Sequence, residues 1–267
     1  MSPCAVRSGP VGFSRPRMSA ALALAALLGC ENGPTEPQEF SIDGRVGLAS
    51  LMALSDGHLQ QIANDFQILV RSEEVRSADW ERIRGPLGAV EQLNVRALMW
   101  FALPDGSYWS VPDGRAAGNL SDGPYWPRLM AGQIVIGDLV ASRATGKSSA
   151  IVAVPVLGAE DAIVGVLGSS VYLDRLSLRI KRELDLQPNE IFYSIDATPL
   201  GALQDDPEQI FLDPFALGEP ELERAIREML TREEGVVNYR FRGKRRTVLY
   251  RKSYVSGWWY AFGHVWD

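Results

Sequence analysis

The chain is poor in the residues that most often build metal sites, disulfides and nucleophilic catalytic sites. Its 267 residues include only two cysteines and two histidines. Both cysteines, Cys4 and Cys30, lie within the first 30 residues, so the rest of the chain has no thiol for a disulfide or a metal. His58 and His264 belong to no cluster with ligand spacing, and the sequence has no Gly-x-Ser-x-Gly elbow. We therefore expect no catalytic residue, no metal ion and no cofactor.

The chain also lacks a long hydrophobic run and an excess of positive charge. Its clearest apolar run, 20–28, is far shorter than the roughly 20 residues that a membrane-spanning helix needs. The first 29 residues hold three arginines and no acidic residue, so the remainder carries 24 basic and 33 acidic side chains. This balance argues against a nucleic-acid partner. With 46% apolar residues, the chain can still bury the core of one or two domains.

The N-terminus has the organisation of a secretory signal. Arg15 and Arg17 precede the apolar run, and Leu27-Leu28-Gly29-Cys30 closes it. This ending resembles a bacterial lipobox, which implies removal of a signal peptide, 1–29, and lipidation of Cys30. An ordinary signal peptide and a buried helix with a chance cysteine are the alternatives. The resemblance implies a lipid-anchored chain on the periplasmic face of the cell envelope. Glu31 stands where an inner-membrane retention signal has Asp, which favours the outer membrane.

Helical spacing dominates the segment after a polar tether, 30–44. Apolar residues recur every three or four positions between Val46 and Val70, which predicts one long amphipathic helix. A second helix is expected from Ala78 to Leu93, interrupted at Gly85-Pro86. Shorter helices are expected at 128–131, 173–186 and 220–232.

Strand-like runs and turn signals fill most of the remaining sequence. The first group is expected at 96–103, 107–111, 134–142, 149–157 and 162–172, with a loop at 112–127. A second, smaller group is expected at 191–195, 235–241, 247–254 and 258–265. Consecutive hairpins favour antiparallel sheets, so the predicted fold class is α+β, with each sheet flanked by helices.

Several short motifs, in order, resemble those of a double Cache module, the PAS-like extracytoplasmic sensor domain of bacterial receptors. They include Pro104-Asp105-Gly106, Asp122-Gly123-Pro124, Thr145-Gly146-Lys147, Leu173-Asp174-Arg175-Leu176 and Ser256-Gly257-Trp258. The resemblance implies a long helix and a membrane-distal unit at 45–175, then a linking helix and a smaller second unit at 176–267. It also implies small-molecule binding without catalysis.

The aromatic residues around the predicted loop are the candidate ligand contacts. Trp100, Tyr108, Tyr125 and Trp126 provide large, rigid surfaces of the kind that line small-molecule sites. Packing in the core is the alternative for the same rings, because alternate strand residues face inward. For Trp100, core packing is the favoured interpretation.

The charged residues that amino-acid-binding Cache domains carry are missing at the matching positions. Gly123 stands at the arginine position, Ser142 stands at the aspartate position, and the Trp-Tyr pair is reversed as Tyr125-Trp126. Because a bidentate arginine contact with a carboxylate is strong, its loss implies a ligand other than a standard amino acid. Arg128 is a candidate replacement anion anchor, with a solvated surface arginine as the favoured alternative. Ser142 stays in the predicted ligand set.

These features predict a lipid-anchored sensor module that binds a small molecule outside the cytoplasm. No output domain follows the last predicted strand, so we expect the signal to pass to a partner receptor or kinase. The alternative is a structural or interaction lipoprotein whose PAS-like fold holds no ligand.

Overall fold

The computed structural model describes residues 43–141 and 146–266. These residues form a long N-terminal helix and two antiparallel sheets, which confirms the predicted α+β class. The α-helices are α1 (Gly44–Leu69), α2 (Glu73–Arg76), α3 (Trp80–Leu93), α4 (Trp126–Met130), α5 (Leu173–Leu184) and α6 (Pro220–Thr231).

Helix α1 is the single long amphipathic helix that the sequence predicts. The Asp43 side chain caps its first turn by accepting a hydrogen bond from the Arg45 N–H at 2.8 Å. Its buried face follows the three-and-four spacing through Leu48, Leu51 and Leu59. Because apolar residues recur along most of this face, the helix packs against both sheets.

Helix α3 runs without a break through Pro86, so the predicted interruption at Gly85-Pro86 is wrong. A proline inside a helix removes one backbone hydrogen bond, which packing can offset. The Ile83 and Leu87 side chains, on either side of Pro86, are fully buried. Burial of this apolar face therefore holds the helix together across the proline.

The first sheet has six strands. They are β1 (Ala97–Ala102), β2 (Ser107–Ser110), β3 (Gly114–Asn119), β4 (Val135–Ala141), β5 (Ser148–Leu157) and β6 (Ile163–Tyr172), in the order β3-β2-β1-β6-β5-β4. The sequence did not predict β3, since the segment 112–127 was expected to be a loop. Strand β3 consists of small and polar residues, and backbone pairing with β2 at the sheet edge holds it in place.

The second sheet has five strands. They are β7 (Glu190–Ile195), β8 (Gly201–Gln204), β9 (Glu234–Phe241), β10 (Lys244–Lys252) and β11 (Trp259–Trp266), in the order β8-β7-β11-β10-β9. Strand β8 was also not predicted. It is only four residues long, and the Leu203 N–H donates to the buried Ser194 Oγ at 3.0 Å.

The two sheets share one hydrophobic core, which α1 helps to build. This cluster joins Phe66 of α1 to Phe101 and Leu167 of the first sheet and to Phe192 and Phe262 of the second. A Cβ atom on Gly47 would lie 2.5 Å from the Phe262 ring, so a side chain there would force the helix away from the sheet. The predicted segments 45–175 and 176–267 each contain one of the two sheets. The hydrophobic core contains residues from both segments.

In the described ranges, no helix is long and apolar enough to cross a membrane. The predicted signal peptide, the lipidation site at Cys30 and most of the tether precede residue 43. They lie outside the described residues and stay predictions.

Candidate functional site

The first sheet carries a cavity on the face that points away from the shared core. Its volume is about 290 Å³. Strand alternation creates this face, because Met99 and Phe101 point into the shared core while Trp100 points to the opposite side. The cavity is lined by Leu98, Trp100, Tyr108, Asn119, Leu120, Asp122, Gly123, Pro124, Tyr125, Leu139, Val140, Ala141, Ile151 and Ser170.

The floor of the cavity is built by three adjacent strands. Register places Leu98 of β1 beside Ser170 of β6, and Ser170 beside Ile151 of β5. Trp100 lies next to Gly168, where a Cβ atom would come within 2.1 Å of the indole ring. Glycine at 168 therefore lets the indole lie flat against β6, and its Nε1 donates to the Ser170 Oγ at 3.3 Å.

The loop after β3 forms the opposite wall and is tied to the β1–β2 turn. The Asn119 Nδ2 donates to the Asp105 carbonyl at 2.9 Å, and the Leu120 N–H donates to the Gly106 carbonyl at 2.9 Å. Gly106 has a φ of +82°, which favours glycine, and a Cβ there would clash with Asn119. Hydrogen bonds from the Ser107 hydroxyl and N–H lower the pKa of Asp105 and stabilise the same turn.

Two of the predicted aromatic residues line the cavity, one from β2 and one from the loop. Tyr108 and Tyr125 are each only 4% exposed. A Cβ on Gly123 would lie 2.9 Å from the Tyr125 ring, so this loop conformation depends on glycine. Together with Trp100, these rings bring three of the predicted ligand contacts to one cavity.

Trp126 and Arg128 lie outside the cavity lining. Trp126 is 4% exposed and packs with Leu129 and Val135 beneath the loop. The Arg128 guanidinium forms an ion pair with the Asp138 carboxylate, and its side chain is about half exposed, at 47%. The helix α4 thus directs Arg128 along the outside of β4 rather than into the cavity. Ser142 falls outside the described residues, and its role stays a prediction.

The lining of the cavity is mostly apolar and aromatic, with few charges. Among the described lining residues, Asp122 is the one ionisable acid, and no lysine or arginine is present. Asp122, Tyr108, Asn119 and Tyr125 each also interact with other parts of the protein. The cavity therefore combines three aromatic rings, a serine hydroxyl and one carboxylate, which suits a small ligand with an apolar body.

Sequence reasoning missed the floor residues Leu98, Ile151 and Ser170. Ile151 of β5 and Ser170 of β6 are far from the aromatic loop in the sequence. Only the strand order β1-β6-β5 brings these two residues to the cavity. One signal was present in the sequence: Ser169 and Ser170 interrupt an otherwise apolar strand, and both are buried. A polar residue in a buried strand usually has a specific partner, here the Trp100 indole.

A bulge in β4 connects the cavity to the second sheet. Gly137 has a φ of +93° at the register shift between Ile136 and Asp138, and its carbonyl accepts the Trp258 Nε1–H at 2.8 Å. The cavity-lining stretch 139–141 begins two residues later on the same strand. This hydrogen bond therefore joins β4 to the strand connection before β11.

Asp56 of α1 stabilises the same connection. It accepts hydrogen bonds from the Ser253 Oγ at 2.7 Å, the Ser256 Oγ at 3.1 Å and the Tyr260 hydroxyl at 2.8 Å. Burial raises the pKa of Asp56, although these three hydrogen bonds act in the opposite direction. The half-buried carboxylate thus joins α1 to the second sheet.

The corresponding face of the second sheet is covered by α6 and is nearly filled. Only about 50 Å³ is open there, between strand residues such as Ile195 and Tyr239 and helix residues such as Ile226. The Tyr239 hydroxyl donates to the Tyr193 hydroxyl at 3.2 Å, and the Tyr193 hydroxyl donates to the Met229 sulfur at 3.5 Å. The two sheets thus have similar strand orders but differently covered outer faces.

In the described ranges, no group of three or more His, Cys, Asp or Glu residues could hold a metal ion.

Comparison with solved structures places this fold among bacterial sensor domains. The ligand-binding domain of Pseudomonas aeruginosa chemoreceptor PctB in complex with L-Arg has a TM-score of 0.60 at 18% identity, covering 83% of this chain and 92% of that one. The Pseudomonas fluorescens CtaA domain in complex with L-alanine has a TM-score of 0.62 at 15% identity, covering 84% and 94%. The extracellular domain of rpHK1S-Z16, described as a histidine kinase, has a TM-score of 0.68 at 16% identity, covering 84% and 93%.

No family model matches the sequence, and no curated protein matches it. At these identities the structural likeness shows the fold alone. The chain therefore has the Cache-type fold of the extracellular ligand-binding domains of chemoreceptors and kinases.

Proposed function

We propose that this chain is a small-molecule sensor module, anchored outside the cytoplasm by a lipid on Cys30. The observation that carries the proposal is the cavity of about 290 Å³ in the first sheet. It has the size, the aromatic lining and the few polar groups of a small-molecule site. The likeness to chemoreceptor and kinase sensor domains supports a sensory role. A partner receptor or kinase would then carry the signal further.

The charged groups that line the cavity favour a ligand without a carboxylate group. A buried carboxylate needs a cation or several donors to offset its loss of hydration. The described lining offers one carboxylate, Asp122, and no cation. Trp100, Tyr108 and Tyr125 can instead contact an ammonium group through their rings. We therefore propose a small amine as the ligand, and the expectation of a ligand other than a standard amino acid stays a prediction.

Comparing amino acids with their decarboxylated amines distinguishes this proposal from binding of amino acids, which PctB and CtaA hold in their complexes. Thermal unfolding of the full chain would be followed with L-arginine against agmatine, L-valine against isobutylamine and L-phenylalanine against phenethylamine. Because a ligand raises the midpoint by mass action, the better binder gives the larger shift. We expect the larger shift from the amine of at least one pair. Larger shifts from the amino acids, or no shift from any compound, would overturn the ligand class.

Asp122→Asn tests the role assigned to the carboxylate. We expect this change to reduce the amine-induced shift, since the carboxylate is the charged group beside the rings. Asp161→Asn is the matched control, because Asp161 is an exposed acid of the same sheet unit and is absent from the lining. If amines raised the thermal midpoints of the wild type and of Asp122→Asn equally, Asp122 would have no role in amine binding.

The competing role is a structural lipoprotein whose own aromatic residues fill the pocket. Trp100, Tyr125 and Trp126 are buried as that role requires. An open volume of about 290 Å³ nevertheless lies among the lining residues, which favours a ligand. Lipidation itself has a direct test: intact mass of the membrane-extracted protein, compared between the wild type and Cys30→Ser. A mass without acyl chains on a cleaved N-terminus would remove the anchor from the proposal.

A further inference from the structure

The hairpin between β9 and β10 concentrates positive charge on an otherwise acidic chain. Five of the seven residues from 240 to 246 are cationic: Arg240, Arg242, Lys244, Arg245 and Arg246. The first four of them are exposed. The segment 235–252 contains no acidic residue, whereas the whole chain has a net charge of −6. We call residues 240–246 the basic hairpin.

Nearby acids neutralise only part of this charge. A hydrogen bond from Gln209, together with the charge of Arg242, lowers the pKa of Asp206. Burial raises the pKa of Asp205, and the charge of Arg246 opposes that rise. The Glu221 carboxylate accepts the backbone N–H of Arg240 at 3.0 Å. Among the described residues, these three carboxylates approach the basic hairpin, and Lys244 has a further interaction of its own. The hairpin itself holds five cations and no acid, so this end of the second sheet is rich in positive charge.

An exposed tryptophan lies beside the basic hairpin. Trp266 pairs across the strands with Arg245, its side chain is 48% exposed, and its Nε1 donates to the Thr247 Oγ1 at 3.3 Å. An indole with a polar anchor and an open ring is typical of residues at a membrane–water interface. Cations and an exposed indole therefore share one end of the sheet.

Helix α1 enters the fold from this same end. Gly44 lies against Leu249, and Asp56 bonds to Ser253 and Ser256, so α1 runs in the direction of β10. Its start therefore points back toward the beginning of β10 at Lys244. Asp43, the first described residue, therefore lies on the side of the basic hairpin.

We propose that the basic hairpin and Trp266 dock on the anionic headgroups of the membrane that holds the lipid anchor. Twelve residues separate Cys30 from Asp43, and a flexible chain of that length spans about 20 Å on average. This reach keeps the hairpin near the surface, where each cation strengthens binding to anionic lipid about five-fold. The geometry rests on the proposed anchor at Cys30, whereas the affinity for anionic lipid is a property of the hairpin itself.

Vesicle binding of the unacylated full chain tests this docking independently of lipidation. Cys30→Ser would be introduced into every variant, and co-sedimentation would use vesicles of phosphatidylglycerol with phosphatidylcholine, or of phosphatidylcholine alone. We expect tighter binding to the anionic vesicles, with the difference declining as salt rises. In Arg242→Asn/Arg245→Gln, the binding to anionic vesicles should weaken about 25-fold, the product of two cations at about five-fold each.

The matched control is Arg71→Gln/Arg84→Gln, which removes two exposed arginines near the far end of α1. We expect this control to bind anionic vesicles within about three-fold of its parent, because distant charges are screened. A second hairpin variant, Arg240→Gln/Arg245→Gln, avoids the positive φ of Arg242 and provides the test if the first fails to fold. Equal binding to both kinds of vesicle, or equal losses in the hairpin and control variants, would overturn the proposal. Neither result would bear on ligand binding in the first sheet.

Discussion

The outer faces of the two sheets differ in what covers them. In the first sheet, the cover is the loop 119–125 together with α4, a helix of five residues. In the second sheet, the cover is α6, a helix of 12 residues whose Leu222, Ile226 and Met229 side chains are buried. The cavity beneath the first cover has a volume of about 290 Å³, and the one between α6 and the second sheet has a volume of about 50 Å³. A continuous helix buries a sheet face that a tied loop leaves accessible.

The two sheets have related strand orders, but we expect their different covers to give them different roles. The second outer face is closed by apolar packing, which stabilises the fold. The first outer face is held open, because its loop is anchored by backbone and asparagine hydrogen bonds at the β1–β2 turn. We expect changes in the second face to affect mainly the free energy of unfolding. Changes in the first face should affect mainly ligand binding.

The largest expected effect is the loss of packing beneath α6. Met229 is fully buried, and its sulfur accepts the Tyr193 hydroxyl. Met229→Ala should lower the free energy of unfolding by about 2–5 kcal/mol, because it removes apolar contacts and leaves a cavity. Urea unfolding followed by circular dichroism measures this loss. A loss below about 1 kcal/mol would mean that α6 does not hold the second face closed.

Replacing one isoleucine in each cavity by the larger phenylalanine compares the two faces directly. Ile195 and Ile151 are strand residues that are 3% and 1% exposed, and each lines the cavity of its own unit. Ile195→Phe should destabilise the fold by about 1–3 kcal/mol, because the second face has little free volume. Ile151→Phe should cost less than about 1 kcal/mol, because the first cavity can accept the ring. Equal costs would contradict the contrast between the faces.

A pH-dependent effect is expected where α1 joins the second sheet. The folded-state pKa of Asp56 is raised by burial, so the folded state favours its protonated form. Its contribution to the free energy of unfolding should be full below the unfolded pKa of about 3.9 and decline as pH rises through the folded pKa. Asp56→Asn cannot ionise and should lack this decline. Unfolding by urea between pH 4 and pH 7 compares the two; parallel pH profiles would contradict the assignment.

The smallest expected effect is at Arg128, outside the cavity. Arg128→Gln should change the free energy of unfolding by less than about 1 kcal/mol, since it removes an exposed ion pair with Asp138. It should leave amine-induced thermal shifts unchanged. Asp138→Asn, which breaks the same pair from the other side, is the control. If amines no longer raised the thermal midpoint of Arg128→Gln but still raised that of Asp138→Asn, Arg128 would belong to the ligand site.

Local sequence patterns were sufficient for the elements with strong apolar periodicity. Helix α1 and strands β5 and β6 were predictable because their side chains are buried in regular three-and-four or continuous apolar patterns. Strands β3 and β8 were not, because small or polar residues at sheet edges owe their conformation to pairing with a neighbour. The continuous helix through Pro86 likewise depended on tertiary packing.

The candidate site was predictable only in part. Clustered aromatic residues pointed to Trp100, Tyr108 and Tyr125, which do line one cavity. The direction of α4 decided that Trp126 packs into the core and that Arg128 meets Asp138, and no local pattern indicates that direction. Ile151 and Ser170 lie at the site because of the strand order in the first sheet. A single sequence does not reveal this order directly.

The most direct test of the open first face is the amine-induced rise in thermal midpoint, measured in three forms of the full chain. Agmatine, isobutylamine and phenethylamine would be added to the wild type, Ile151→Phe and Ile195→Phe. At least one amine should raise the midpoint of the wild type and of Ile195→Phe but leave that of Ile151→Phe unchanged. A rise that persists in Ile151→Phe, or the absence of any rise in the wild type, would contradict a ligand site in the first sheet.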